Sequence, residues 1–259
     1  MQFYVGLDKA SFARHFERSC ISVNTLRGRV RDFDAGEWMM DSGAFTEITR
    51  HGEHRYTPQE YAAAIRRWSV CGKLVAAVSQ DYMCEPFVLA RTDLSVRDHQ
   101  RMTVERYDAI RKAVDCAAYT MPVLQGFWPE EYVAHVRQYG PRLAEGQWVG
   151  VGSVCKRNKQ PEEVEHVLMA IKRERPDLRL HGFGVKLTAL ASGVVRSLLY
   201  SADSMAWSYW AWKHGRDVHD WKEAARFVAR VEKQKVRPWQ YQGQLFGSFT
   251  SAGEFPLSV

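Results

Sequence analysis

The sequence predicts an α/β protein of one domain, a (β/α)8 TIM barrel. Three observations predict it. Eight short apolar runs alternate with longer amphipathic stretches from end to end, the rhythm of strands separated by helices. The length of 259 residues suits one large core and is the usual size of such a barrel. No Gly-rich dinucleotide or phosphate-binding fingerprint follows any apolar run, which weakens the doubly wound open sheet that the same rhythm allows.

The candidate strands are Phe3–Leu7, Cys20–Val23, Trp38–Met40, Leu74–Val78, Pro122–Leu124, Trp148–Val151, Leu180–Phe183 and a short one near Ser201–Asp203. The candidate helices are Pro58–Cys71, Ser95–Asp115, Pro129–Tyr139, Pro161–Glu174, Leu187–Tyr200 and about Asp220–Lys235. Three of them open on proline followed by acidic or amide residues. Proline at the first helical position gives up an N–H that has no partner there, and early carboxylates suit the helix dipole. The barrel is expected over residues 1–240, with a peripheral Gly/Ser-rich tail at 241–259.

Composition narrows the class. Apolar residues make up 46% and charged residues 25%, ordinary values for a globular protein. No apolar run approaches the roughly 20 residues that cross a bilayer, and charge within the first ten residues is unlike a signal peptide. A cytoplasmic protein without a membrane partner is expected. Cys20, Cys71, Cys84, Cys116 and Cys155 form no CxxC or CxC pair, and His214 and His219 have no cysteine near them. No metal site is therefore expected. A net charge of +6 permits a nucleic-acid partner without requiring one.

In a barrel the chemistry gathers at the C-terminal ends of the strands. Just past the candidate strands stand Asp41-Ser42-Gly43-Ala44-Phe45, Gln80-Asp81-Tyr82, Gln125-Gly126, Gly150-Val151-Gly152, Phe183-Gly184 and Asp203-Ser204. Any one of these aspartates serves most simply as a helix cap or turn residue, and any one glycine as a turn. Their convergence on one mouth points instead to carboxylate chemistry. Arg27, Arg29 and Arg31 after the second strand, and Lys156, Arg157 and Lys159 after the sixth, read as solvated charges singly and as phosphate contacts in clusters. Trp207, Trp210 and Trp212, at helical spacing, read as core rather than as a nucleic-acid platform.

These segments resemble the tRNA-guanine transglycosylases, TIM barrels that exchange guanine for a 7-deazaguanine. Asp41-Ser42-Gly43-Ala44-Phe45 is similar to their Asp-Ser-Gly-Gly-Phe/Tyr signature, Gln125-Gly126 to their Val-Gln-Gly strand end, and Gly150-Val151-Gly152 to their glycine pair. Asp203-Ser204-Met205-Ala206-Trp207 is similar to the segment that carries their nucleophile. The stretches QDYMCEP, HQRMTVERY, PVLQGFW, VGVGSVCKR and SADSMAWS look like the DNA-modifying, DpdA-like branch of bacteria and phages. The chain lacks the Cys-x-Cys-x-x-Cys zinc module of the tRNA enzymes, which agrees with that branch.

The resemblance implies a pentosyltransferase that swaps guanine in DNA for a 7-deazaguanine, with 7-cyano-7-deazaguanine as the expected base. Exchange on tRNA, and a glycosylase releasing guanine without insertion, are the alternatives. Asp203 would be the nucleophile and Asp41 the general acid and base. Asp81 would read the edge of the guanine ring, with Gln125 and the backbone around Gly150 and Gly152 donating to its carbonyl. Phe45 and Phe183 would sandwich the base. No cofactor is implied; the partners implied are DNA and a free 7-deazaguanine base, and a homodimer is allowed.

Overall fold

A computed structural model of the chain describes residues 1–155 and 160–236. The expected tail at 241–259 and the basic residues Lys156, Arg157 and Lys159 lie outside the described residues.

The strands are β1 (Gln2–Leu7), β2 (Arg18–Ser22), β3 (Glu37–Asp41), β4 (Lys73–Val78), β5 (Thr120–Met121), β6 (Val123–Leu124), β7 (Trp148–Val151), β8 (Arg179–Gly182) and β9 (Leu199–Ser204). All their pairings are parallel, in the order β5-β4-β3-β2-β1-β9-β8-β7-β6. The two ends of that row, β5 and β6, adjoin in sequence, separated by Pro122. Proline has no N–H for a ladder, yet its carbonyl still accepts from Gly150 N at 2.8 Å. One interrupted strand thus pairs with β4 on one side and β7 on the other, and the sheet becomes a nearly closed TIM-like barrel of eight strand positions.

The helices are α1 (Val23–Leu26), α2 (Ala44–His51), α3 (Pro58–Trp68), α4 (Pro86–Thr92), α5 (Val96–Ala113), α6 (Pro129–Tyr139), α7 (Pro161–Glu174), α8 (Leu187–Leu190), α9 (Gly193–Leu198), α10 (Ala206–Lys213) and α11 (Trp221–Lys233). Pro58, Pro129 and Pro161 each open their helix as expected. Thr57 with Glu60, and Ser95 with Asp98, form reciprocal capping boxes that satisfy otherwise unpaired N–H groups. The single helix expected over Leu187–Tyr200 is two short helices. Ser192 Oγ accepts from Val195 N at 3.2 Å and starts α9 afresh, while Tyr200 belongs to β9. Helices α1, α2, α4 and α10 were not among the expected elements, and Val23, expected to end a strand, opens α1.

Period-two alternation sorts the strand residues into two cores. Outward side chains such as Val5, Ile21, Trp38, Met40, Val149 and Leu180 pack under the helices. Inward ones, Tyr4, Cys20, Met39, Ala76, Val78, Met121 and Val123, fill the barrel. Each large side chain buried this fully contributes about 1.5–3 kcal/mol. The same alternation continues past the packed layer. Two residues beyond Cys20 is Ser22 and beyond Met39 is Asp41, so polar groups follow apolar ones toward the C-terminal mouth; on β9 the buried hydroxyl of Ser201 precedes Asp203 in the same row.

Candidate active site

A cavity of about 240 Å³ opens at that mouth, near the lower end for small-ligand pockets. Asp41, Asp81, Gln125, Gly152, Phe45, Phe183 and Asp203 all line it, together with Ser22, Cys20, Glu85, Ser153 and Met205. Gly150 lies one inward position deeper. The three aspartates, the outermost of them 162 residues apart in sequence, therefore face one space.

Asp41 ends β3 in a turn that sequence dictates locally. Gly43 adopts φ +73° and points its N–H back to Asp41 Oδ2 at 2.9 Å. A side chain there would meet Asn24 Nδ2 at 2.3 Å, so glycine is required on both counts. Burial, and then the charge of Asp203, raise the Asp41 pKa to about 6, against contacts with Gly43, Ser22 and Ser42. A carboxyl poised there can carry a proton near neutrality.

Asp81 stands on the loop after β4, which is buried from Ser79 to Glu85. Four side chains from three other segments hold the backbone of this loop. His54 Nε2 lies 2.9 Å from the Asp81 carbonyl oxygen, and His99 Nδ1 lies 2.6 Å from that of Met83. Thr103 Oγ1 accepts from Tyr82 N at 2.9 Å, and Ser153 Oγ accepts from Cys84 N at 3.1 Å. Burial of His54 lowers its pKa to about 4, so the ring is neutral and its N–H can donate to Asp81 O. Burial, followed by the nearby Asp41 charge, raises the Asp81 carboxyl to about 7.

Asp81 is also the end of a side-chain chain. Ser42 Oγ donates to Oδ1 at 3.0 Å and Gln125 Nε2 donates to Oδ2. The Gln125 carbonyl oxygen and Glu85 Oε2 each lie 2.8 Å from Ser153 Oγ. Because a carboxylate only accepts, the Gln125 amide is fixed with nitrogen toward Asp81. Ser153 holds a left-handed backbone, φ +55°, an uncommon conformation for a non-glycine residue. Each carboxylate oxygen keeps a second acceptor site for a ligand.

The glycine pair serves this arrangement by its missing side chains. A Cβ on Gly152 would lie 2.1 Å from Gln125 Nε2, and one on Gly150 would lie 2.4 Å from the Phe183 ring. The amides of both donate to barrel carbonyls, Gly150 to Pro122 and Gly152 to Leu124. The sheet thus uses the N–H groups of Gly150 and Gly152 themselves.

Asp203 accepts from Gly184 N at 3.1 Å, and its Oδ1 lies 3.3 Å from His181 Nε2. His181 is fully buried; its Nδ1 lies 2.9 Å from Ser201 Oγ, which accepts from Trp148 Nε1 at 2.8 Å. Sequence reasoning missed His181, Ser153 and Glu85 as site residues. A histidine at an inward position of an apolar strand was the signal available for the first. The other two come together across 68 residues, which spacing cannot show.

Of the arginines after β2 expected to meet phosphate, Arg27 and Arg29 are engaged within the protein and Arg31 is exposed. Arg27 pairs with Glu47 at 3.5 Å and stacks over Tyr56 at 4.0 Å. Arg29 donates to the carbonyls of Arg31 and Asp32. Trp207 is buried as expected, whereas Trp212 is exposed. Among the described residues no three of His, Cys, Asp and Glu come together to hold a metal ion, and no helix is long and apolar enough to cross a membrane.

The family model described as DpdA, DeoxyPurine in DNA protein A, matches residues 2–221, the whole barrel and helix α10 with it. No curated protein matches the chain.

Proposed function

The chain belongs to the DpdA family of DNA-modifying transglycosylases, and on that premise we propose that it exchanges guanine in DNA for a 7-deazaguanine, with 7-cyano-7-deazaguanine as the incoming base. The observation that carries the proposal is the meeting of Asp41 and Asp203 on one small cavity, with the charge of one felt at the other.

Retention at the sugar carbon requires two displacements. The Asp203 carboxylate attacks C1′ of deoxyguanosine, the bond from C1′ to the base nitrogen breaks, and the departing guanine takes the proton of Asp41. Guanine leaves and the 7-deazaguanine enters. The Asp41 carboxylate removes its ring N–H, that nitrogen attacks C1′, and the ester to Asp203 breaks. Protons and electron pairs balance over the two halves without an added oxidant or reductant.

Electrostatics support this division of labour. In the first half the Asp203 anion helps hold a proton on Asp41, as an acid requires. In the intermediate Asp203 is an uncharged ester, so Asp41 loses that repulsion and rests ionised, as a base requires. Asp81 supplies acceptors for the ring N–H and exocyclic amine of the base, and Phe45 and Phe183 offer ring faces to it. A glycosidic carbon stacked in a duplex cannot reach this cavity, so the target nucleotide is flipped out or single-stranded.

The test is incorporation. The protein is incubated with isotope-labelled 7-cyano-7-deazaguanine and either DNA or tRNA, and the digested nucleosides are analysed by mass spectrometry. Label in DNA with stoichiometric release of guanine supports the proposal. Label only in tRNA, or guanine release leaving abasic sites, overturns it.

A further inference from the structure

Helix α10 is not one of the helices that cover the barrel wall in the usual way. It lies between β9 and α11, and α11 is the element that packs against β1 and against α10. Trp207 pins α10 down: it is 1% exposed, and its Nε1 donates to the carbonyl of Gly6 near the end of β1 at 2.7 Å. Ala211, one turn on, is buried beside it. The opposite side of the helix carries Met205, Tyr209 and Trp212, which are 41%, 64% and 65% exposed. Spacings of four and three place these residues in one stripe.

That stripe starts at the cavity. Met205 is part of the cavity lining, directly after the strand that carries Asp203. The stretch from Met205 to Trp212 spans about 10 Å along the helix. The Tyr209 and Trp212 rings lie 5.6 Å apart, tilted by 35°. No acidic residue occurs in α10, and exposed Lys213 and His214 follow Trp212 directly. A path that begins with Met205 at the cavity lip, continues over the exposed faces of Tyr209 and Trp212 and ends beside basic side chains matches the groups of a single nucleic-acid strand: ring faces inside, phosphates outside.

We propose that Met205, Tyr209 and Trp212 form a stacking track for unpaired nucleobases next to the target guanine. The occupant is a single-stranded or locally opened stretch of DNA, and the inference rests on the DNA reading above. Stacking on rings is indifferent to base identity, so the track holds the strand while the cavity selects the guanine.

The test is the affinity of the full-length protein for a fluorescein-labelled single-stranded oligonucleotide holding one guanine, followed by anisotropy. Trp212→Ala and Tyr209→Ala are each expected to weaken binding about 10-fold, and Trp212→Phe to retain most of it. Replacing the bases beside the guanine by abasic sites should weaken the parent protein equally and leave the Trp212→Ala variant unaffected. The loss should persist as salt is raised, unlike a phosphate contact. Alanine variants that bind as the parent does overturn the track while leaving the DNA reading intact. So does a change from dimer to monomer in sedimentation with affinity unchanged, which assigns the stripe to self-association. A parent protein that binds no DNA at all removes the functional reading itself, and the track with it.

Discussion

His181 holds Asp203 from inside the barrel, with Nε2 3.3 Å from Oδ1. The direction of this contact follows from the groups behind it. The Asp203 carboxylate only accepts, so the ring must place its proton on Nε2. Its Nδ1 then accepts, and the donor is the Ser201 hydroxyl, whose own oxygen takes the Trp148 N–H. Buried His181 and Ser201, with half-buried Trp148 behind them, thus aim one proposed nucleophile.

Loss of that aim should appear in the chemical step. In His181→Gln, kcat for base exchange is expected to fall about 10–100-fold, the scale of a small misplacement of a reacting group, with the KM for the free base little changed. Steady-state kinetics checks this; an equal fall in kcat and rise in KM would mean general distortion of the cavity.

Removing the proposed nucleophile itself is the harsher change. Asp203→Asn should lower exchange by about 10³-fold or more and abolish any protein–DNA adduct trapped on denaturing gels. Asp41→Asn should also lose exchange, since the departing base then lacks its proton donor.

The acidities give a pH profile. With Asp81 at about 7 and Asp41 at about 6, the form that has Asp81 ionised and Asp41 protonated is a minority, most populated between those values. A bell-shaped kcat/KM with its maximum near pH 6–7 is expected. Stability runs the other way. Both folded pKa values exceed the ordinary 3.8, so the stabilisation from binding these protons is complete below about 3.8 and is lost as pH rises through 6 and 7. Asp81→Asn should therefore be more stable than the parent at pH 8, by on the order of 1–2 kcal/mol, with the gain fading toward pH 4. Thermal melting across that range measures it.

Gly152→Ala tests the close approach of Gln125. The added Cβ would stand 2.1 Å from its Nε2, and the amide can move only by leaving Asp81 or Ser153. A stability loss of about 1–3 kcal/mol is expected, together with a raised KM for the free base, both readable from melting and initial rates.

The strands and the aspartates at their ends were legible because alternation and strand ends are local properties. Asp41 lies in a turn fixed by Gly43, two residues away, and the apolar run before it identifies its strand. Ser192 broke an expected helix because a side-chain cap outcompetes weak periodicity. Arg27 looked available for phosphate until Glu47 and Tyr56, far along the chain, were folded against it. Trp212 looked like core because helical spacing alone does not say which side of a helix meets the protein.

By itself, then, the sequence determined a parallel barrel and the aspartates at its rim, because those follow from neighbours within a few residues. Only the tertiary structure decided that Asp41 and Asp203 share one cavity, that His181 backs Asp203, and that α10 turns its aromatics to solvent. Those relationships depend on which strands close the ring, and ring closure joins residues that the chain keeps far apart.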